Sequence, residues 1–445
     1  MTEYDAVIIG GGPGGSTTAA FLARAGRRVL VLEKDHFPRF HIGESLLPYN
    51  HAIFEAMGVL PALEKAGYIK KYGAQFHLGD GSKSLFLAFR NGRFTRQQVA
   101  IQVERAGFDH LLLQHACACG AEVREGWTVT SFSTDQKGVT LSARNHHGQS
   151  ESLRGAFLID ASGRSNFTGN QQRLRMVHPH LKKLALFGHF AGVALDEGEK
   201  GGDTIIVRLE NKWFWLIPLS PEKVSVGCVM DQEEFARAKT DPAEMFAQIW
   251  QSSPALCARM QNAKLLTEIY TTSDFSYHNR SLIDQRLLRV GDAAGFIDPI
   301  FSAGVYLACY SGQLAAEVVN DSLAARDDGT RRLKRYERNV NRAMKYYWEM
   351  VEGFYTQPFI EVFMEPREKF DLPAAITAVL AGELDGGWGL WWRRKLFFWV
   401  VKLQTRWPLV PRINFNKKTS ERNNERNSGL KEPNQGSGIG VQESG

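Results

Sequence analysis

The chain has 445 residues, 43% hydrophobic and 23% charged, with a formal net charge of +6. That is enough apolar material for a sizeable core, and the basic excess is too dilute for nucleic-acid binding, though it suits an anionic cofactor or an acidic partner. Five cysteines without a C-x-x-C pair argue against a disulfide framework or a zinc site; with no apolar run of spanning length and no room for a leader before the first strand, a cytoplasmic location is expected.

The first 33 residues set the organisation. An apolar strand over residues 6–9 runs into Gly10-x-Gly12-x-x-Gly15, with Pro13 and Gly14 inside the turn. A helix of small residues follows to Ala25, Gly26 turns the chain, and a second apolar strand ends on Glu33 beside Lys34. Gly10 permits the tight turn, Gly12 lets backbone approach a pyrophosphate, and Gly15 lets helix and strand pack closely. The helix N-terminus offers free N–H groups to phosphates, and a carboxylate about 20 residues on suits the ribose hydroxyls. This end is expected to bind a dinucleotide. In the next segment Pro38, Gly43 and Pro48 forbid a continuous helix, so Arg39, His41, Glu44 and Ser45 lie on a shaped loop where such a cofactor would sit.

Residues 49–66 read as a helix, 77–100 as short strands and turns, and 102–118 as a helix that carries Arg105. Strands over 121–144 turn at His146-His147-Gly148. The apolar strand ending at Asp160 leads into a polar turn, and residues 184–231 read as strands of a second domain. Residues 242–260 are expected to be helical. A last strand reaches Gly291-Asp292, where a carboxylate suits a ribitol hydroxyl, and a long helix spans about 305–325. With no second dinucleotide fingerprint for a nicotinamide domain, FAD is the expected cofactor, and Asp292, Asp160 and Arg105 gain roles at its site. Gly436-x-Gly438 follows no strand and makes no second site. The fold class expected is α/β: a discontinuous Rossmann-like FAD-binding domain (1–76, 101–170, 282–330), an antiparallel β-sheet substrate domain (77–100, 171–281), a helical C-terminal segment (331–415) and a disordered tail (416–445).

Four stretches together resemble the flavin-dependent halogenases within the FAD monooxygenases. They are Gly10 to Gly15 with Glu33, Phe40-His-Ile-Gly-Glu-Ser-Leu-Leu-Pro48, Trp213-Phe-Trp-Leu-Ile-Pro218, and Gly291-Asp-Ala-Ala-Gly-Phe-Ile-Asp-Pro-Ile-Phe-Ser-Ala-Gly304. The resemblance implies that FADH2 from a separate flavin reductase reacts with O2, and that chloride or bromide is oxidised to a hypohalous acid. The indoles of Trp213 and Trp215 would bar substrate from the flavin ring, and a lysine would pass the oxidant to an electron-rich carbon. Lys71, just before Gly73-Ala-x-Phe76, matches that lysine; its neighbour Lys70 should point the other way on an extended segment. Ser302, Ala303 and Gly304, opening the long helix, are the expected halide seat; the same geometry suits a flavin oxygen.

Tryptophan-type halogenases carry a glutamate two positions before the residue aligned with Ala303, where this chain has Phe301. The chain therefore resembles the subgroup acting on phenols, pyrroles or carrier-bound acyl substrates. An FAD hydroxylase, a geranylgeranyl-reductase-like enzyme, and a non-catalytic flavoprotein binding a carrier or membrane are the alternatives. Residues 388–415 hold five of the ten tryptophans. Leu396, Trp399, Val400, Leu403 and Trp407 fall on one helical face, with Arg394, Lys402 and Arg406 around the other side. That face is expected to pack over the catalytic domain; peripheral membrane contact and docking of an acidic carrier protein are the other readings.

Overall fold

The structure, a computed structural model, describes residues 3–415. The tail expected over 416–445 lies outside them. A parallel sheet forms the first layer, with strands in the order Leu287–Arg289, Ser150–Asp160, Tyr4–Ile9, Val29–Glu33 and Glu122–Glu125. Tyr4–Ile9 sits at its centre, with Ala6, Val7 and Ile8 fully buried, as its near-continuous apolar run requires. The helix Pro13–Arg24 packs against Ala303–Ala325 at close range. Small residues make that approach possible: a Cβ at Gly312 would lie 2.7 Å from the Gly14 carbonyl oxygen, and the Thr18 hydroxyl reaches the Gly312 oxygen at 3.1 Å. A hairpin, Trp127–Thr134 with Val139–Asn145, extends from Ser150–Asp160 and covers the other face.

A second sheet runs in the order Gly295–Phe296, Tyr270–Asn279, Arg175–Ala191, Lys223–Asp231, Trp213–Ser220, Thr204–Arg208, Gly73–Leu78 and Ser84–Ala88. It is antiparallel except where Thr204–Arg208 pairs with Gly73–Leu78. Alternation along Trp213–Ser220 divides its side chains. Phe214 and Leu216 join a core with Leu186, Cys228 and Phe246, while Trp213, Trp215 and Ile217 face the first sheet. Ile69–Lys71 and Ala100–Gln102 form a separate two-stranded ladder between the layers. This is the α/β architecture expected, with helices Thr330–Phe354, Gln357–Phe363, Leu372–Ala381 and Gly387–Arg406 closing the chain.

Two predicted helices are broken. Residues 49–66 form Asn50–Met57 and Leu60–Ala66, because Gly58 takes a left-handed conformation (φ 83°) and ends the first. Residues 242–260 divide at Pro254, where the Ser253 hydroxyl caps the new helix.

The C-terminal helix needs a larger correction. The face expected to pack inward is turned largely outward: Trp399 is 57% exposed and Trp407 58%, and Leu396, Val400 and Leu403 are only part-buried. The buried row is Leu390, Arg394, Phe397 and Gln404. Arg394, expected outside, pairs with Glu349, and Gln404 donates to the Glu361 carboxylate at 2.7 Å. Buried partners supplied by other helices thus reverse the orientation that hydrophobicity alone would choose. Burial works against ionised Glu361, yet hydrogen bonds from Gln404, Gln357, the Ile413 N–H and Arg412 hold it below the usual carboxylate range.

Candidate active site

A cavity of about 530 Å³ runs between the two sheets, within the size range of small-molecule sites. One end is made by the loops at the carboxyl ends of the parallel strands. Gly10, Gly12, Pro13, Gly14, Glu33, Lys34 and Arg39 line it. Gly10 has φ +98° and would carry a Cβ 2.5 Å from the Ala161 oxygen; a Cβ at Gly15 would fall 1.9 Å from the Gly10 oxygen. Gly15 thus shapes the turn from behind and does not line the cavity. Glu33 accepts the Gly11 N–H at 2.7 Å and the Asp35 N–H at 2.9 Å, so its carboxylate is fixed at the cavity wall.

The polar loop after the second strand contributes His41, Gly43, Glu44 and Ser45 to the wall. Arg105 braces it, donating to the Ile42 and Gly43 carbonyls while its guanidinium forks onto Asp109 at 2.7 and 2.9 Å. Burial holds His41 neutral, lowering its pKa to about 3 with help from the Arg105 charge. Glu44 accepts from the His189 ring at 2.8 Å, and its second oxygen, Oε2, is buried with no partner. Asp292 also lines the cavity; burial raises its pKa against the pull of Arg164 and Arg105. Asp160 corrects expectation. It is fully buried, accepts from the Ser162 N–H and from both the N–H and hydroxyl of Thr168, and does not reach the cavity. Its neighbours Ala161, Ser162 and Arg164 do.

The other end belongs to the second sheet. Trp213 and Trp215 line it with ring centroids 5.8 Å apart. Gly227 faces Trp215 across the ladder, and a Cβ there would lie 2.1 Å from the indole, so glycine lets the ring lie over the neighbouring strand. The Trp215 indole N–H donates to Ser225, and that of Trp213 to the Tyr355 hydroxyl at 2.8 Å. Tyr355 in turn donates to Asp298 at 2.8 Å. Burial raises the Asp298 pKa to about 6, opposed by the Tyr355 hydrogen bond and, more distantly, by Lys183 and Arg208. Asp298 lay inside a quoted motif, but Tyr355, on a separate helical segment, carried no local signal.

Lys71 is buried, whereas Lys70 is exposed, as an extended segment requires. Lys71 does not itself line the cavity. Its ammonium donates to the Ser45 hydroxyl at 2.8 Å and the Leu46 carbonyl at 3.2 Å, one layer behind the wall. Ser45 and Thr204, whose hydroxyls lie 2.8 Å apart, are the wall at that point, and Gln102 donates to Thr204. Burial lowers the Lys71 pKa to about 7, opposed by Asp203, whose own pKa burial raises to about 6. Ser302, with φ 56°, starts the helix Ala303–Ala325; Ser302, Gly304 and Val305 line the cavity and Ala303 does not.

The glycine cradle, where a Cβ has no room at Gly10 or Gly15, and the unpartnered Glu44 oxygen fit FAD laid along this cavity. These features define an FAD-binding enzyme, and the model of the FAD binding domain family matches residues 3–341. Among curated proteins the chain is 33% identical over 355 residues to a tryptophan 2-halogenase of Chondromyces crocatus, covering 78% of this chain and 67% of that one. It is 28% identical over 409 residues to a 1H-pyrrole-2-carbonyl-[peptidyl-carrier protein] chlorinase of Pseudomonas fluorescens, covering 86% and 90%. A solved flavin-dependent brominase superposes with a TM-score of 0.81 at 27% identity, over 91% of this chain and 99% of that one. The chain belongs to the flavin-dependent halogenases. It is an FAD-dependent enzyme that uses O2 and halide.

Proposed function

We propose that this halogenase acts on an electron-rich aromatic ring, of the pyrrole or phenol class, presented free or as an acyl group on a carrier protein, and that Lys71 passes it the oxidant. Reduced FAD, when bound and supplied by a separate reductase, provides with O2 the oxidising power that converts halide to hypohalous acid. Gly10, Gly12, Gly14 and Glu33 would hold its nucleotide half, and Asp292 and the Ser302–Gly304 turn its ring end. First-turn N–H groups at that turn also suit a halide anion.

The observation that carries the reading is the buried ammonium of Lys71 behind the Ser45–Thr204 wall, on a ladder packed against the strand of Trp213 and Trp215. Trp213 and Trp215 narrow the cavity so that a bulky ring is kept from the cofactor while a small oxidant passes. Lys71 then acts through the Ser45 hydroxyl it holds at the wall, which turns its hydrogen bond to the hypohalite oxygen, and the ring carbon takes the halogen. The carbon loses its proton and the oxygen leaves as water. Phe301, packed edge-to-face on Phe354, offers no carboxylate at the position where tryptophan-type enzymes have one. The carrier-bound option rests on the pyrrole-carrier chlorinase, whose length this chain nearly spans.

The test is to incubate the holoenzyme with a flavin reductase, O2 and bromide, and with pyrrole-2-carboxylate either free or loaded on a carrier protein. Mass spectrometry should show bromine in place of hydrogen. A hydroxylated, unbrominated product would overturn the reading.

A further inference from the structure

The helix Gly387–Arg406 contains five basic residues and no acidic one. Its exposed row reads Trp388, Trp391, Lys395, Trp399, Lys402 and Arg406, spaced three or four apart along one face. Trp388 is 74% exposed, Trp391 44% and Trp399 57%. Trp388 and Trp391 stack on each other at 4.9 Å. Phe370, 64% exposed, lies edge-on to Trp392 of this helix. Lys395 lies 3.7 Å from Glu349, while Lys402 and Arg406 have no acidic partner among the described residues.

We propose that this face is a peripheral membrane-binding surface that seats its tryptophans at the headgroup level of an anionic bilayer. Indoles favour that depth because one edge is apolar and the N–H stays hydrated. Lysine and arginine stems between them lie along the apolar layer and reach back to lipid phosphates. The opposite row, anchored by Arg394–Glu349 and Gln404–Glu361, fixes the helix to the enzyme so that the outward row is presented rigidly. A second copy fits poorly, because pairing two such faces sets cation against cation. A carrier protein fits poorly too: no described residue beyond Ala308 lines the cavity, so cargo docked here would not face it. No described helix is long and apolar enough to cross a membrane, and the surface needs none.

The experiment is flotation of the full-length, FAD-loaded protein with vesicles of phosphatidylcholine alone or mixed with phosphatidylglycerol. Co-flotation with the anionic vesicles, weakened by salt, and a shift of tryptophan emission to shorter wavelength are expected. The triple variant W388S/W391S/W399S should lose at least about tenfold in vesicle affinity while retaining FAD and its melting temperature. K402E/R406E, which leaves the indoles intact, should lose at least about thirtyfold on anionic vesicles only, from two cations worth about 1 kcal/mol each near the surface. Absence of flotation, or flotation equal in wild type and both variants, overturns the proposal. So does a dimer, or a complex with a purified acidic carrier protein, that these variants dissociate while flotation persists.

Discussion

The two ends of the cavity are built on different principles. At the cofactor end the decisive atoms are backbone: glycines without room for a Cβ, N–H groups at a helix start, and a carboxylate fixed by Gly11 and Asp35. At the other end they are buried ionisable side chains from distant segments: Lys71, Asp203 and Asp298, with Tyr355 between Asp298 and Trp213. One end should therefore fail by steric exclusion and the other by a change in protonation.

The contrast breaks most sharply at Gly15. Gly15→Val places a branched side chain against backbone 1.9 Å away, and the purified protein is expected to hold no FAD, by absorbance and thermal melting. Flavin retention in that variant would refute the cradle. Next is Lys71→Ala, expected to lower halogenation by about 10²–10⁴-fold while FAD binding and flavin oxidation persist. If halogenated product survives, another group carries the oxidant. In the wild type the Lys71 ammonium is present below about pH 7 and lost above it, so halogenated product per FADH2 oxidised should fall as pH rises through that value, while flavin oxidation does not.

A smaller effect concerns stability. Asp298 titrates near 3.8 when unfolded and about 6 when folded, so the fold binds the proton more tightly. Stability should fall as pH rises from about 4 to 6, by about 3 kcal/mol from this group alone. Lys71 acts oppositely: its folded pKa lies below its ordinary 10.5, so its contribution rises with pH above about 7. Asp298→Asn should flatten the acid-side slope in melting temperature against pH; an unchanged slope would show that Asp298 does not hold the proton. Trp213→Phe removes the hydrogen bond to Tyr355 together with part of a fully buried ring and should cost about 1–3 kcal/mol in urea unfolding. The smallest change in stability is expected for Gly304→Ala. Its Cβ would meet nothing within 4 Å, so the fold should shift by less than about 1 kcal/mol, and a raised KM for bromide would place the halide at that turn.

Legibility followed the same division. The strand–glycine–helix–strand unit was readable because its constraints act between residues close in the chain, and Trp213-x-Trp215 was readable because strand alternation puts both indoles on one face. Asp160 misled because a carboxylate at a strand end serves a cofactor or caps its own turn equally well; here Thr168, eight residues on, takes it. The C-terminal helix misled because periodicity ranks faces by hydrophobicity and is blind to Glu349 and Glu361, which draw Arg394 and Gln404 inward.

By itself the sequence determined the glycine turn, the α/β class and the placing of two indoles on one strand face, since short-range sterics and periodicity decide those. Tertiary structure decided what lies behind the wall: Lys71 one layer back on Ser45, the Trp213–Tyr355–Asp298 chain, and a tryptophan face turned to solvent. Each depends on which distant side chains share a buried volume, where desolvation and hydrogen-bond partners, rather than local pattern, set protonation and orientation.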